Sequence, residues 1–299
     1  MKKVVVTGSN GLLGQTLIDK LIESPNHKVY GFSRGQNRHP NSDFSYISID
    51  LTDKEELRKS MEEIRPDTII NTAAMTHVDV CEQNKEDCDK VNVAMVASLV
   101  SICEELDIHL IHLSTDFVFD GQKGIYKETD AVNPLSYYAA SKVKSEEIIK
   151  ESKAVYTILR TILVYGSVHD MSRTNIVLWV LNALKNNQTI TVVHDQYRMP
   201  TSVDSLAEAC VLAMDNKVEG VFHISSSQLM SVYQIAFQVA QEFGLNTKLI
   251  QPISSEALNQ PANRPRKTGF DLSKSESELK YRPKSFKEEL LAFKSTYSE

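Results

Sequence analysis

Tyr138 and Lys142 stand four residues apart in the stretch Ser136-Tyr137-Tyr138-Ala139-Ala140-Ser141-Lys142. The stretch follows Asn133-Pro134 and continues as an amphipathic run to Lys150, which predicts the first turns of a helix. Residues four apart on a helix share a face. A phenol with the ordinary pKa of about 10 is a poor proton donor and acceptor near neutrality. A cation held beside it favours the phenolate and lowers that value. A drop of about 3 units takes roughly 4 kcal/mol of differential interaction, the scale of one lysine acting with a cationic ring. Tyr137 has a serine, not a lysine, four positions on, so the spacing assigns this chemistry to Tyr138. The alternative is a surface tyrosine beside a solvated lysine, and the elements around the pair decide between the two.

Those elements begin at the N-terminus. Lys3 to Thr7 is short and β-branched, as suits a buried parallel strand. It runs into Gly8-Ser9-Asn10-Gly11-Leu12-Leu13-Gly14, after which Leu17, Ile18, Leu21 and Ile22 mark one helix face. Strand, glycine loop and helix in that order aim backbone N–H groups and a helix N-terminus at a pyrophosphate. Lys28 to Ser33 predicts the second strand. It ends in Ser33-Arg34 with no carboxylate, and Arg38 follows. An acidic residue there would grip a ribose 2′-hydroxyl, whereas a guanidinium suits a 2′-phosphate, which favours NADP over NAD.

Further strands are expected at Tyr46–Ile49, Thr68–Asn71, His109–Leu113 and Val155–Leu159, with helices at Lys54–Ile64, Asn84–Leu106 and Leu135–Glu151. This alternation predicts an α/β fold, a Rossmann-type doubly wound parallel sheet. Small residues at Ala73-Ala74, just past the fourth strand, leave room for a ligand in the crevice at the strand ends. After Val164-Tyr165-Gly166 the pattern is less regular. We expect a cofactor domain over 1–165, to which 204–225 returns, and a smaller substrate-binding lobe over most of 166–299.

Composition narrows the function. The chain has 299 residues, is 41% hydrophobic and carries a net charge of −6. That balance argues against a nucleic-acid surface, which needs clustered Lys and Arg. No apolar run approaches a membrane span or a signal segment, so a cytoplasmic protein with reduced cysteines is expected. No Cys/His cluster has metal-ligand spacing, and no metal is expected.

These residues together resemble the extended short-chain dehydrogenase/reductases. The resemblance rests on Thr7-Gly8-x-x-Gly11-x-x-Gly14, Asp50-Leu51, Asn71-Thr72-Ala73-Ala74, Asn92, Ser114-Thr115 and Tyr138-x-x-x-Lys142. Within that group the chain is similar to the dTDP-4-dehydrorhamnose reductase (RmlD-like) family through Leu113 to Gly121, Leu159-Arg160-Thr161, Val164-Tyr165-Gly166, Pro200-Thr201 and Arg264-Pro265-Arg266. The resemblance implies reduction of the 4-keto group of a nucleotide-linked 6-deoxy sugar. Tyr138 would then protonate the sugar oxygen, Lys142 would hold the nicotinamide ribose and lower the phenol pKa, and Thr115 would hydrogen-bond the reacting carbonyl. Gly8, Ser9, Asn10, Gly11, Leu12, Gly14, Ser33, Arg34, Asp50, Leu51, Ala73, Ala74, Thr76, Asn92 and Ser114 would line the cofactor. Thr76, Val78, Asp116, Phe117 and Arg264 would meet the substrate, Arg264 at its diphosphate. Some members bridge subunits through a metal held by a glutamate after the glycine loop, but Thr16 stands there. A homodimer is implied on family grounds. Two other readings remain: a non-catalytic NADP-binding regulatory subunit similar to the β subunit of methionine adenosyltransferase, and a nucleotide-sugar epimerase or dehydratase.

Overall fold

The computed structural model describes residues 1–171, 173–258 and 260–297. Seven parallel strands form the central sheet: β1 (Lys2–Thr7), β2 (His27–Ser33), β3 (Ser45–Ser48), β4 (Thr68–Asn71), β5 (His109–Thr115), β6 (Tyr156–Thr161) and β7 (Gly220–Ile224). Their order across the sheet is β7-β6-β5-β4-β1-β2-β3. The order reverses at β1, between β4 and β2, and ligands of such sheets bind at that switch point beyond the strands' C-terminal ends. Register sets the neighbours near those ends: Thr7 lies beside Asn71, Asn71 beside His112, Ser114 beside Arg160, and Thr115 beside Thr161.

Side chains alternate along each strand, so the sheet buries both faces. Val4 and Val6 pack under α1 (Leu12–Ile22) and a helix at Val203–Asn216. Val5, Ile69, Leu110 and Ile158 point the other way. They pack under α2 (Lys54–Ile64), a helix at Met95–Leu106 and a long helix at Tyr137–Glu151. A separate core joins helices Ile176–Lys185, Val232–Glu242 and Phe286–Thr296 with the parallel pair Ile190–Val193 and Ile250–Ile253.

One expected element is different. The single helix over Asn84–Leu106 is broken: α3 (Val78–Gln83) precedes it, α4 (Lys85–Asp89) follows, and a π-helical turn at Lys90–Ala94 leads into α5 (Met95–Leu106). The apolar periodicity reads straight through this break. An extra residue in a helical turn changes hydrogen bonding from i→i+4 to i→i+5 without disturbing the overall pattern, and such turns occur often at functional sites. The remaining helices are α6 (Tyr137–Glu151), α7 (Ile176–Lys185), α8 (Val203–Asn216), α9 (Val232–Glu242) and α10 (Phe286–Thr296). Among the described residues no helix is long and apolar enough to cross a membrane.

The C-terminal helix α10 carries a buried carboxyl, Glu289, which accepts from the Ser202 N–H at 3.0 Å and the Tyr165 hydroxyl at 3.4 Å. Burial pushes its pKa up to about 7, against the pull of these hydrogen bonds. The folded value therefore lies above the unfolded one of about 4.3. Stability from this group is present below that unfolded value and is lost as pH rises through 7. Glu289→Gln should flatten the fall in stability between these pH values, gaining up to about 4 kcal/mol over the wild type above pH 7. Urea unfolding across pH measures this, and parallel wild-type and variant profiles would contradict it.

Candidate active site

The glycine loop forms a closed backbone cradle. Gly8 has φ +68°, and a Cβ there would meet Thr72 Oγ1 at 2.8 Å and Ala73 N at 2.9 Å. A Cβ on Gly14 would meet Gly8 O at 2.2 Å. Gly11 is the N-cap of α1, whose first turn has no side-chain cap and no acidic residue. Its N–H groups are thus available to an anion. Buried Ser9 Oγ has no partner among the described residues, so the cradle also offers an unused donor. This combination fits a dinucleotide pyrophosphate.

Asn10 points elsewhere. Its amide nitrogen donates to the carbonyls of Arg34 (3.3 Å) and Gln36 (2.9 Å), and its oxygen accepts from Arg38 N–H at 3.0 Å. Tyr46 adds a bond to Gly35 O at 2.8 Å. Asn10 therefore shapes the loop after β2 that carries exposed Arg34, while Arg38 lies 3.7 Å from Asp170. Asp50 is exposed and held by Thr52, whose N–H and hydroxyl lower its pKa; Leu51 is buried behind it.

Asn92 sits in the π-helical turn and is buried. It accepts from Met75 N–H at 2.8 Å and donates to Met75 O and Ser141 Oγ, both at 3.0 Å. It pins the loop Ala73–Thr76 to α6, and both N–H groups of its amide are taken up within the chain. The π-turn is what brings this amide inward.

Ser136 caps α6, accepting from Ala139 N–H, and the helix presents Tyr138 at the crevice. Burial raises the phenol pKa, with the neighbouring Thr115 hydroxyl working in the opposite direction. Thr115 also accepts from Phe117 N–H at 3.2 Å, capping a short 3-10 turn, so it has both a structural and a site-facing contact. Phe117 lies edge-on to Tyr138, with ring centroids 6.4 Å apart.

Lys142 departs from the expectation that it would lower the phenol pKa. Its Nζ lies 2.9 Å from His112 Nε2, in a fully buried setting, and it is not among the groups that shift Tyr138. Burial itself brings the lysine down to about 8. The spacing placed the pair on one helix face, but the bonding partner of the amine comes from β5, thirty positions away in sequence.

Sequence reasoning missed Glu146, whose one signal was its place a turn beyond Lys142. It accepts from Ser114 Oγ (2.7 Å), from Arg160 Nε (2.8 Å) and Nη2 (2.6 Å), and from Lys150 Nζ (2.8 Å). Burial pushes this carboxyl up, yet Arg160 and Lys150 outweigh it and hold the pKa at about 2. Ser114, expected at the cofactor, thus donates to Glu146.

Asp116, the next residue after Thr115, is buried. Burial raises its pKa against the opposing charge of Arg198, 3.6 Å away, and Thr268 hydrogen-bonds it. Arg198 also lies over the Phe117 ring and donates to Pro265 O at 2.6 Å, fixing the segment that carries Arg264. Arg264 is already paired: its two terminal nitrogens reach Asp79 Oδ1 (3.1 Å) and Oδ2 (2.6 Å), next to Val78 at the start of α3. Thr76 accepts from Arg173 Nη1 at 2.7 Å. Two arginines thus bridge the edges of the crevice, and neither bridge joins residues near in sequence.

Asp19, His39 and His169 also cluster. His39 Nε2 lies 3.0 Å from Asp19 Oδ1, while Asn41 N–H donates to His39 Nδ1 at 3.2 Å. That bond places the ring proton on Nε2, facing the carboxylate. A metal-ligating imidazole has that nitrogen bare and donates from the other, so we assign a hydrogen bond that ties the loop to α1.

A sequence model described as the RmlD substrate binding domain matches residues 1–298. A probable low-salt glycan biosynthesis reductase of Haloferax volcanii is 32% identical over 296 residues, 98% of each chain. Methionine adenosyltransferase 2 subunit beta of Rattus norvegicus is 28% identical over 282 residues, covering 92% of this chain and 82% of that one. A dTDP-4-dehydrorhamnose reductase of Bacillus anthracis, solved in complex with NADP, superposes with a TM-score of 0.88 at 26% identity, over 99% of this chain and 100% of the other. The chain belongs to the RmlD substrate binding domain family.

Removing one partner of a buried ion pair leaves an uncompensated charge and costs about 3–5 kcal/mol. Glu146→Gln keeps an acceptor for Ser114 but strips Arg160 of its counter-charge. The unfolding free energy from urea titration should fall by that amount, through a lower midpoint with little change in slope; an unchanged midpoint would show the clamp to be dispensable.

Proposed function

We propose that this family member uses NADPH to reduce the 4-keto group of a nucleotide-linked 6-deoxy sugar, dTDP-4-dehydrorhamnose to dTDP-rhamnose. The observation that carries the reading is the convergence of Thr115 and Tyr138 on Phe117, whose N–H donates to Thr115 Oγ1 at 3.2 Å and whose ring lies edge-on to Tyr138, at the C-terminal end of β5. The glycine cradle lies at the end of β1 in the same sheet, with only β4 between the two strands. The likeness to the Haloferax reductase and to the Bacillus enzyme supports the substrate class. Exposed Arg34, on the loop that Asn10 shapes, supports a 2′-phosphate and so NADP, with NAD as the second choice. Four buried free cysteines support a cytoplasmic location.

NADPH, when bound, supplies the hydride. The chain supplies the rest. As hydride reaches the carbonyl carbon, negative charge grows on the oxygen. The Tyr138 hydroxyl is the donor placed to meet it, and Thr115 Oγ1, which here donates to Asp116 Oδ1 at 3.2 Å, would turn its proton to the oxygen as the charge grows; such donors are worth most where water is excluded. A phenol whose pKa is raised by burial keeps its proton until that charge develops, which suits a donor in the reducing direction. Phe117 against the Tyr138 ring limits its swing.

A second reading follows from the 28% identity to the methionine adenosyltransferase subunits: a cofactor-binding chain that acts on a partner protein. Stable co-purification with a methionine adenosyltransferase and no turnover of nucleotide sugars would favour it.

The test mixes the protein with NADPH and enzymatically generated dTDP-4-dehydrorhamnose and follows loss of the reduced nicotinamide. Consumption matched by dTDP-rhamnose supports the proposal, and none by folded, cofactor-binding protein overturns it. Tyr138→Phe should lose about 10²-fold or more in turnover while NADPH binding persists. Equal loss of both would assign the tyrosine to binding instead.

A further inference from the structure

A polar chain runs through the middle of the sheet into the lysine. Thr7, Asn71 and His112 are register neighbours on β1, β4 and β5. Thr7 Oγ1 donates to Asn71 Oδ1 at 2.6 Å, and Asn71 Nδ2 lies 3.0 Å from His112 Nδ1. His112 Nε2 in turn lies 2.9 Å from Lys142 Nζ and 3.3 Å from Ser145 Oγ. Exposure of these five side chains does not exceed 2%. So deep a row of polar groups costs stability unless every member is satisfied.

We infer that His112, seated by Asn71, positions the Lys142 amine and sets the pH at which that lysine gives up its proton. The direction follows from the donors. Ala73 N–H donates to Thr7 Oγ1 at 3.4 Å, which leaves the Thr7 proton for Asn71 Oδ1. The Asn71 oxygen is thereby occupied and its NH₂ faces His112. His112 Nδ1 is then an acceptor, so the ring proton sits on Nε2 and points at Lys142. An N–H cannot bond an ammonium; it can bond the lone pair of a neutral amine. The chain therefore ends on a donor that stabilises the deprotonated lysine. Ser145 Oγ, which donates to Lys142 O at 2.8 Å, shares the same N–H through its lone pairs.

The charged neighbours do not undo this. Glu146 on α6 and Cys88 on α4 are the groups whose charge would hold the ammonium. Glu146 is already committed to Ser114, Arg160 and Lys150, and the Cys88 thiol lies against Ser141. Among the described residues Lys142 Nζ has no other hydrogen-bond partner than His112. The lysine sits at about 8 and the phenol above its ordinary value. The proton-state assignment stands on the buried chain alone and holds whether or not the reductase reading does.

The direct test is the titration of Lys142 by NMR of protein labelled at lysine Cε, assigned with Lys142→Met. The wild-type signal should titrate near pH 8. Asn71→Asp places a carboxylate at His112 Nδ1, which draws the ring proton to that side and turns Nε2 into an acceptor for the ammonium; the midpoint should rise by about one unit or more. His112→Gln offers the ammonium an amide oxygen in place of the N–H and should also raise it, so the inference stays open to test if one variant fails to fold. The pH dependence of NADPH binding, which needs no sugar substrate, should move with the midpoint. An unchanged or lowered midpoint in either folded variant, or a wild-type lysine titrating near its ordinary value, would overturn the inference. Loss of sugar reduction with the midpoints as expected would count against the reductase reading alone.

Discussion

The Glu146 carboxylate binds three elements at once: its own helix through Lys150, β5 through Ser114, and β6 through Arg160. It is buried, and a buried charge is tolerated only when paired and hydrogen-bonded. That requirement fixes how α6 lies on the sheet. A helix packed by aliphatic contacts alone tolerates small rotations, whereas a carboxylate with all its bonds filled does not. Tyr138 and Lys142 lie two turns and one turn before Glu146 on the same helix, so their placement inherits this constraint. Ser114 does so too, and through it Thr115, the next residue on the strand.

Around that clamp the crevice divides into an anion side and a reacting side. The anion side is built from backbone: an uncapped helix start, a glycine at positive φ and two further glycines where side chains would collide or crowd. Asn10 shapes the adjoining loop without needing to touch a ligand. The reacting side is built from side chains on β5 and α6, with Asn92 holding the intervening loop through both backbone groups of Met75. Many residues that line such a crevice therefore act one step back from it. Ser114, Asn92 and Asn10 orient the groups that face inward.

What was legible in the sequence was local. Strand, glycine loop and helix are contiguous, and Tyr138 and Lys142 are one helical turn apart, so pattern and spacing reach them. The parallel sheet followed from alternation. Relations across strands were not legible. His112 reads as one polar residue in an apolar strand, and only register sets it between Asn71 and Lys142. The Asp79–Arg264 pair joins positions 185 apart; with α3 unforeseen, Arg264 looked free for a diphosphate. The π-turn was not legible because the apolar residues around Asn92 fit an unbroken helical pattern about as well. The fall of the phenol pKa was expected from the lysine acting with a cationic cofactor ring; in the chain by itself burial, which a sequence does not display, raises it.

The central claim is that hydride passes from the nicotinamide to a sugar carbon while the chain supplies the proton. Turnover with NADPH carrying deuterium at the transferred position of C4, followed by NMR and mass analysis of the sugar, tests it most directly. One deuterium at the sugar C4 for each NADPH oxidised is the predicted result. Oxidation of NADPH with an unlabelled sugar, or a label-free sugar product formed without net oxidation of NADPH, would contradict it.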